Sequence, residues 1–440
     1  MTFFFTFLFM FMVFWRPQEW LVPALFGWPV LDITVALALL AMTVEMDAGK
    51  IKFPKRLQQP KLLLGLWFFC IFSHVPHTYF QGILDTWEEP LKICFFTLLL
   101  FCVVDTPAKL RHVARLFVFM AVVMSIHALM QQKLGYGFAG ERPMYVPKPN
   151  GTIQVRSWFF GIFEDPNEMA QMIVASMPFT FVMFKRKNFL TTAIALGLCY
   201  FLFVGMSTGH SRGSLIGLAA AGAMLLVMKL PARWMPRMMP IGLLLTLAAC
   251  PIFTKALDMS ARERIVFWGL GNQAFKSSIV NMMTGLGYGM FWTVTRKGRA
   301  AHNAFVNCYV EIGYIGYCFW FGLIVLGVLG AWRVRAEMAH RRFDAESDYL
   351  WRFSGYVIVA LVAFCASSYF LSRTFIYPFF FLMALAGVTP VIADNMLDEE
   401  DAEDAFLFIN GRDTTILCAV GGAMSIIYIY ISIILMNLSV

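Results

Sequence analysis

The chain has 440 residues, of which 59% are hydrophobic and 14% charged. A soluble domain carries roughly 25% charged residues, so this composition leaves too little polar surface for a water-facing globule and makes a bilayer the expected solvent. The net charge of +8 does not point to a nucleic-acid partner, because the basic residues lie in short loops between apolar runs rather than on one soluble face.

A spanning helix needs about 20 mainly apolar residues, and fewer when packed inside a bundle. Spans are expected around 2–15, 31–46, 62–75, 91–104, 113–131, 167–184, 189–206, 214–229, 238–254, 304–331, 353–371, 374–393 and 414–437. The fold class is thus an all-α polytopic membrane protein of 12–13 transmembrane helices, a single membrane domain over 1–440. The first run, Phe3 to Trp15, lacks a basic leader and a small-residue cleavage site, so a retained span is expected there rather than a signal peptide. No internal repeat is visible, and the acidic stretch Asp398 to Asp404 reads as a solvated loop. None of the nine cysteines forms a CxxC pair and nearly all lie in apolar runs, where they serve as small buried hydrophobes.

Lys and Arg placement sets the expected orientation. Lys50, Lys52, Lys55, Arg56 and Lys61 share one loop parity with Lys109, Arg111, Arg115, Lys185, Arg186 and Lys187. Lys229, Arg233, Arg237, Arg333, Arg335, Arg341 and Arg342 follow the same parity, making 18 of the 35 basic residues. That parity is expected to be cytoplasmic, with the N-terminus inside. The loop with Asp85, Glu88 and Glu89, the two long loops 132–166 and 255–303, and the short ones at 207–213 and 372–373 then face outward.

The outward loops hold the residues that can carry chemistry. Loop 132–166 ends in Phe163-Glu-Asp-Pro-Asn167, where Asp165 or Asn167 caps the next helix with Pro166 in its first turn, or Asn167 contacts a substrate. Ser207-Thr-Gly-His-Ser-Arg-Gly-Ser214 places His210 and Arg212 just before a helix expected from about Ser214, so a guanidinium and free backbone N–H groups can face one anion together. In 255–303, Ser260 and Glu263 form a capping-box pattern. Ile265, Trp268, Phe275 and Ile279 follow at helical spacing, predicting an amphipathic helix at the outer interface with Trp268 near headgroup level. Arg262 and Arg264 lie in its first turn, where cations oppose the helix dipole and add no stability. Gly285-Leu-Gly-Tyr-Gly289 reads as a tight turn, without the strand–turn–helix context of a dinucleotide motif. His302-Asn303 stands at the mouth of a long span just after Arg296, Lys297 and Arg299; this positive surrounding disfavours imidazolium and predicts a neutral imidazole able to accept a proton.

Four segments in this order resemble the O-antigen ligase and polymerase superfamily of bacterial envelope glycan assembly. They are Phe163-Glu-Asp-Pro-Asn167, Ser211-Arg-Gly213, Arg264 followed by Trp268, and Gly285-Leu-Gly-Tyr-Gly289 leading into His302-Asn303 with Gly313 and Gly316 beyond. The resemblance implies a GT-C-like, metal-independent, inverting glycosyltransferase of the bacterial inner membrane, without a cofactor and with its active face periplasmic. The implied donor is a glycan on undecaprenyl diphosphate, the implied acceptor a sugar hydroxyl of lipid A–core, and the other partners membrane lipids. By position, His302, Arg212 and Arg264 match the catalytic residues, with Arg262, Asn303, His210, Asn167 and Arg299 as substrate-binding candidates. The presence of two arginines, 262 and 264, departs from the simplest pattern; the spacing to Trp268 selects Arg264. The outward loops carry no DxD motif, so the arginines are expected to balance the leaving diphosphate. A polymerase joining two lipid-linked glycans shares this layout. A transporter is the alternative from another class, but its signature of mid-span ionisable residues is limited to His127, for which packing is the expected role.

Overall fold

A computed structural model describes the chain except for residues 149–150, 184–187, 231–241, 243, 249, 251–258, 296–297, 342–343, 372, 398–405 and 439–440. The principal helices are α1 (Thr2–Trp15), α2 (Val30–Asp47), α3 (Gln59–Phe72), α4 (Glu88–Val103), α5 (Pro107–Leu134), α6 (Pro166–Met183) and α7 (Phe189–Ser207). They continue as α8 (Arg212–Val227), α9 (Met259–Phe275), α10 (Ala304–Met338), α11 (Ala345–Ser368), α12 (Tyr377–Gly387), α13 (Thr389–Met396) and α14 (Gly411–Asn437). A helix therefore stands at twelve of the thirteen expected spans; most of the other, 238–254, lies outside the described residues.

Among the described residues, six helical stretches are long and apolar enough to cross a membrane: α5, α7, α10, α11, the consecutive pair α12–α13, and α14. This makes the chain a multi-pass membrane protein. The shorter α1 and α8 are apolar as well, whereas α2 carries Asp32, Glu45 and Asp47. Burial sorts the bundle: α12–α13 is 78% buried at the centre, while α7 and α14 are only 22% and 28% buried and offer apolar faces outward. A helix covered by neighbours need not match the bilayer in length or polarity, which explains why α6, with Glu168 and Gln171 in its first turns, still runs buried through the middle.

Contacts between helix termini define two ends. At one end Arg56 pairs with Asp394 at 2.7 Å, Arg111 with Glu346 at 2.8 Å, and Arg352 donates to the Val182 carbonyl. Twelve of the eighteen same-parity basic residues lie there; Lys185, Arg186, Lys187, Arg233, Arg237 and Arg342 are outside the described residues. The opposite end gathers the loops 132–166, 207–211, 299–303 and 369–376.

Several local expectations are corrected. Loop 132–166 is not wholly irregular: β1 (Met144–Pro147) pairs antiparallel with β2 (Ile153–Arg156), with Tyr145 opposite Val155 and Val146 opposite Gln154. β-branched and aromatic residues flanking a Pro- and Gly-containing turn favour this hairpin. Trp268 does not face lipid. It is 1% exposed, donates to the Ala301 carbonyl at 2.6 Å and packs edge-on against Tyr369, so the apolar stripe of α9 is spent on protein rather than lipid. Ile279 belongs to a separate short helix whose N-cap, Ser278, accepts from Asn281 N. The helix expected from Ser214 starts at Arg212, because Ser211 is the cap and accepts from Ser214 N. The side chain of Ser260 lies outside the described residues, so the capping box does too.

The glycine-rich segment is a structural junction. Leu286 N and Gly287 N donate to the Val310 and Glu311 carbonyls of α10 at 2.9 Å each, where Gly313 (φ 68°) kinks that helix. A Cβ on Gly313 would come 2.4 Å from the Met283 carbonyl oxygen. Gly313→Ala is expected to lower stability by about 1–3 kcal/mol, combining left-handed strain with that clash, read as a lower thermal midpoint of the detergent-solubilised protein. An unchanged midpoint would contradict the junction.

Candidate functional site

His302 is held by its neighbours. Asn303 caps α10, its Oδ1 accepting from Phe305 N at 3.0 Å and Val306 N at 3.1 Å, while Ala301 is fixed by Trp268. Between these anchors His302 adopts φ 51°, a left-handed conformation that costs a non-glycine residue about 1–2 kcal/mol. The half-buried imidazole thus sits where α9 meets the mouth of α10. The Oδ1 of Asn303 is used in capping, whereas its Nδ2 is buried without a hydrogen-bond partner.

Arg264 lies one helical turn before Trp268, on the same face of α9. Its guanidinium donates to the Phe370 carbonyl at 3.3 Å. Phe370 is the hub of the junction: its ring also lies 6.2 Å from that of Trp268, and a Cβ on Gly213 would come 3.2 Å from its Cβ. Gly213 adjoins the exposed Arg212, so the start of α8 meets the same corner, just past α11, as Arg264 does. Arg262, two residues from Arg264, points to another side of α9, with its Nε buried and without a hydrogen-bond partner.

A second cluster adjoins this one. Arg156, at the end of β2, donates to the Gly209 carbonyl and to Asn167 Oδ1, both at 2.9 Å. Asp165 accepts from both the backbone and side-chain nitrogens of Asn167 at 2.7 and 2.8 Å, so Asp165 caps α6 and Asn167 is a linker to Arg156. A Cβ on Gly209 would meet the Pro166 carbonyl at 2.8 Å, so loop 207–211 lies directly on the start of α6. His210 follows at φ 47°. Burial, then the charges of Arg156 and Lys148, hold its imidazole below the usual range.

Electrostatics link the two clusters. Burial and then the Arg264 guanidinium push the His302 imidazole below its usual range; Arg299 adds to this, and Asp165 opposes it. The charges felt at His302 thus come from α9, from the loop before α10 and from the start of α6. His302, Arg264 and Arg299 form one electrostatic group with Asp165. Asn167 and His210 join through Arg156, while the packing of Gly213 on Phe370 brings the backbone of Arg212 to the same corner.

Sequence reasoning missed three participants. Arg156 lies in a strand that the helical pattern did not anticipate. Arg373, in the loop after α11, pairs with Glu168 of α6 at 2.5 Å, a contact with no signature in spacing. The Phe370 carbonyl acts through backbone, which sequence does not label. Among the described residues, no group of His, Cys, Asp and Glu side chains is arranged to hold a metal ion. His127 is buried, accepts from Phe138 N at 3.0 Å and packs against Phe159 and Phe160, which is a structural role.

The architecture and site together define a multi-pass helical membrane protein with a guanidinium-rich junction at one end. No family model matches the chain, and no curated protein matches it either.

Proposed function

We propose that the chain is a glycosyltransferase of the O-antigen ligase type, moving a glycan from undecaprenyl diphosphate to a sugar hydroxyl of lipid A–core on the periplasmic face of a bacterial inner membrane. The observation that carries this reading is the grouping of His302 and its near neighbour Arg299 with Arg264, nearly forty residues earlier in the chain, at the end opposite the basic loops. Arginines suit a diphosphate because each guanidinium presents paired N–H donors in a plane.

In the proposed reaction the acceptor hydroxyl attacks the anomeric carbon from the side opposite the diphosphate. The hydroxyl proton passes to the neutral imidazole of His302. The anomeric carbon–oxygen bond breaks with inversion, and its electron pair leaves on undecaprenyl diphosphate, whose developing charge Arg264 and Arg212 balance. Arg299 and His210 are proposed to bind further phosphate or sugar oxygens, while Arg262, on another side of α9, is proposed for a more distant contact; Asn167 and Asn303 contribute by positioning Arg156 and His302.

Purified protein incubated with undecaprenyl diphosphate glycan and lipid A–core is expected to give glycan-bearing lipid A–core and free undecaprenyl diphosphate. Longer lipid-linked glycans formed from donor alone would move the assignment to a polymerase. Uptake of substrate into proteoliposomes without any new glycosidic bond would move it to transport.

The orientation has its own test. Tyr145→Cys in the β1–β2 hairpin is expected to react with a membrane-impermeant maleimide added to cells with a permeable outer membrane and an intact inner membrane. Labelling only after the inner membrane is broken would reverse the proposed topology.

A further inference from the structure

At the basic end the consecutive helices α7 and α8 part. α7 packs on α5 and α6, α8 packs on α6 and α11, and the two scarcely touch each other. The gap between them is a cavity of about 320 Å³. Its walls near the bilayer are apolar, with Ala195 from α7 and Leu225 from α8, and Phe181 of α6 lies at the back. Its polar end is cationic: Lys229, just past α8, faces Arg335 of α10 and Arg352 of α11.

This polar end is built rather than accidental. Arg335 lies over the Trp351 ring at 4.2 Å and donates to the Trp351 carbonyl. Gly355 makes room for it, since a Cβ there would come 2.4 Å from the guanidinium. Arg352 is 12% exposed and is anchored by Asp348 at 2.9 Å and the Val182 carbonyl at 3.1 Å. Among the described residues that line the cleft, three are cationic and none is a carboxylate.

The depth fits a headgroup. Ala195 lies six residues into α7, about 9 Å from its start at 1.5 Å per residue, and Leu225 lies in the last turn of α8. The cleft therefore lies close to the ends of two apolar helices, where a headgroup layer is expected, and α7 beside it presents an exposed apolar face. We propose that the cleft between α7 and α8 holds an anionic phospholipid of the adjoining leaflet, its phosphate against Lys229, Arg335 and Arg352 and its chains along Ala195 and Leu225. Basic pockets between membrane helices recognise lipid phosphates by this combination of charge and lateral access. The site is at the end opposite His302 and does not rest on the transferase reading.

The test uses the full chain in phosphatidylcholine nanodiscs containing a minor fraction of phosphatidylglycerol, with retained lipid counted by native mass spectrometry. Wild-type protein is expected to retain phosphatidylglycerol in preference to phosphatidylcholine. Lys229 is exposed at the end of its helix, so Lys229→Gln leaves folding intact, checked by an unchanged thermal midpoint. One interfacial cation contributes about 1 kcal/mol, so this variant is expected to lower phosphatidylglycerol retention about fivefold, and Lys229→Glu to lower it further. Equal retention of the two lipids by the wild type, or retention unchanged in Lys229→Glu, would overturn the proposal. Displacement of phosphatidylglycerol by millimolar inorganic phosphate would assign a soluble anion instead and overturn the lipid.

Discussion

Arg264→Ala is expected to reduce glycan transfer by on the order of 10²–10³, the effect of losing one preorganised donor to developing negative charge, or about 2.7–4 kcal/mol of barrier. Arg264→Lys is expected to recover only part of this, because an ammonium cannot bond in parallel to two phosphate oxygens. The residue also bonds the Phe370 carbonyl, and Lys keeps a donor there, so the Lys variant separates loss of packing from loss of the planar fork. Steady-state transfer rates at matched thermal midpoints provide the measurement. Removing this guanidinium also removes a charge that depresses the His302 imidazole, so the acidic limb of the Arg264→Ala rate profile is expected at higher pH than in the wild type. An Arg264→Ala enzyme within about threefold of wild type would remove arginine stabilisation from the mechanism.

How far the sequence foretold this site depends on the kind of information each residue carries. Length and apolarity predicted the helices well, since burial in a bundle or bilayer is a property of a whole segment. Arg264 and Trp268 were legible as one face of one helix because a spacing of four is read directly from the chain. The same pattern misplaced Trp268, since an apolar stripe declares that it will be buried but not whether by lipid or by Tyr369 and Phe370. Arg156 escaped because its importance comes from reaching Gly209 and Asn167, one partner in a loop and the other in the first turn of α6. The prediction of a neutral His302 rested on neighbours in sequence; in the fold the first cause is burial and the second is Arg264, nearly forty residues away, with Arg299 adding less. Glycines 285 and 313 needed three dimensions as well, since each makes room for backbone next to the other.

Replacing His302 tests whether that imidazole moves the proton. Alanine would add backbone strain to the loss of the base, because the position requires φ 51°. Asparagine occupies the left-handed region more readily than other non-glycine residues, so His302→Asn removes the base while retaining the local fold. Transfer is expected to fall by about 10²–10⁴, the usual contribution of a positioned general base, with the thermal midpoint preserved. The pH profile gives a sharper criterion. A base must be unprotonated, so the wild-type rate is expected to rise with pH through the His302 pKa and level off above it. Burial and Arg264 set that pKa below its ordinary value of about 6.5, which puts the plateau at neutral pH. Asp165 pulls the pKa upward, so Asp165→Asn is expected to move the limb to still lower pH, opposite to the shift in Arg264→Ala. Opposite displacements of one limb by an aspartate capping α6 and an arginine on α9 would require both charges to act on the group being titrated. If neither variant moved the limb, or if His302→Asn retained it unchanged, the titrating base would have to lie elsewhere.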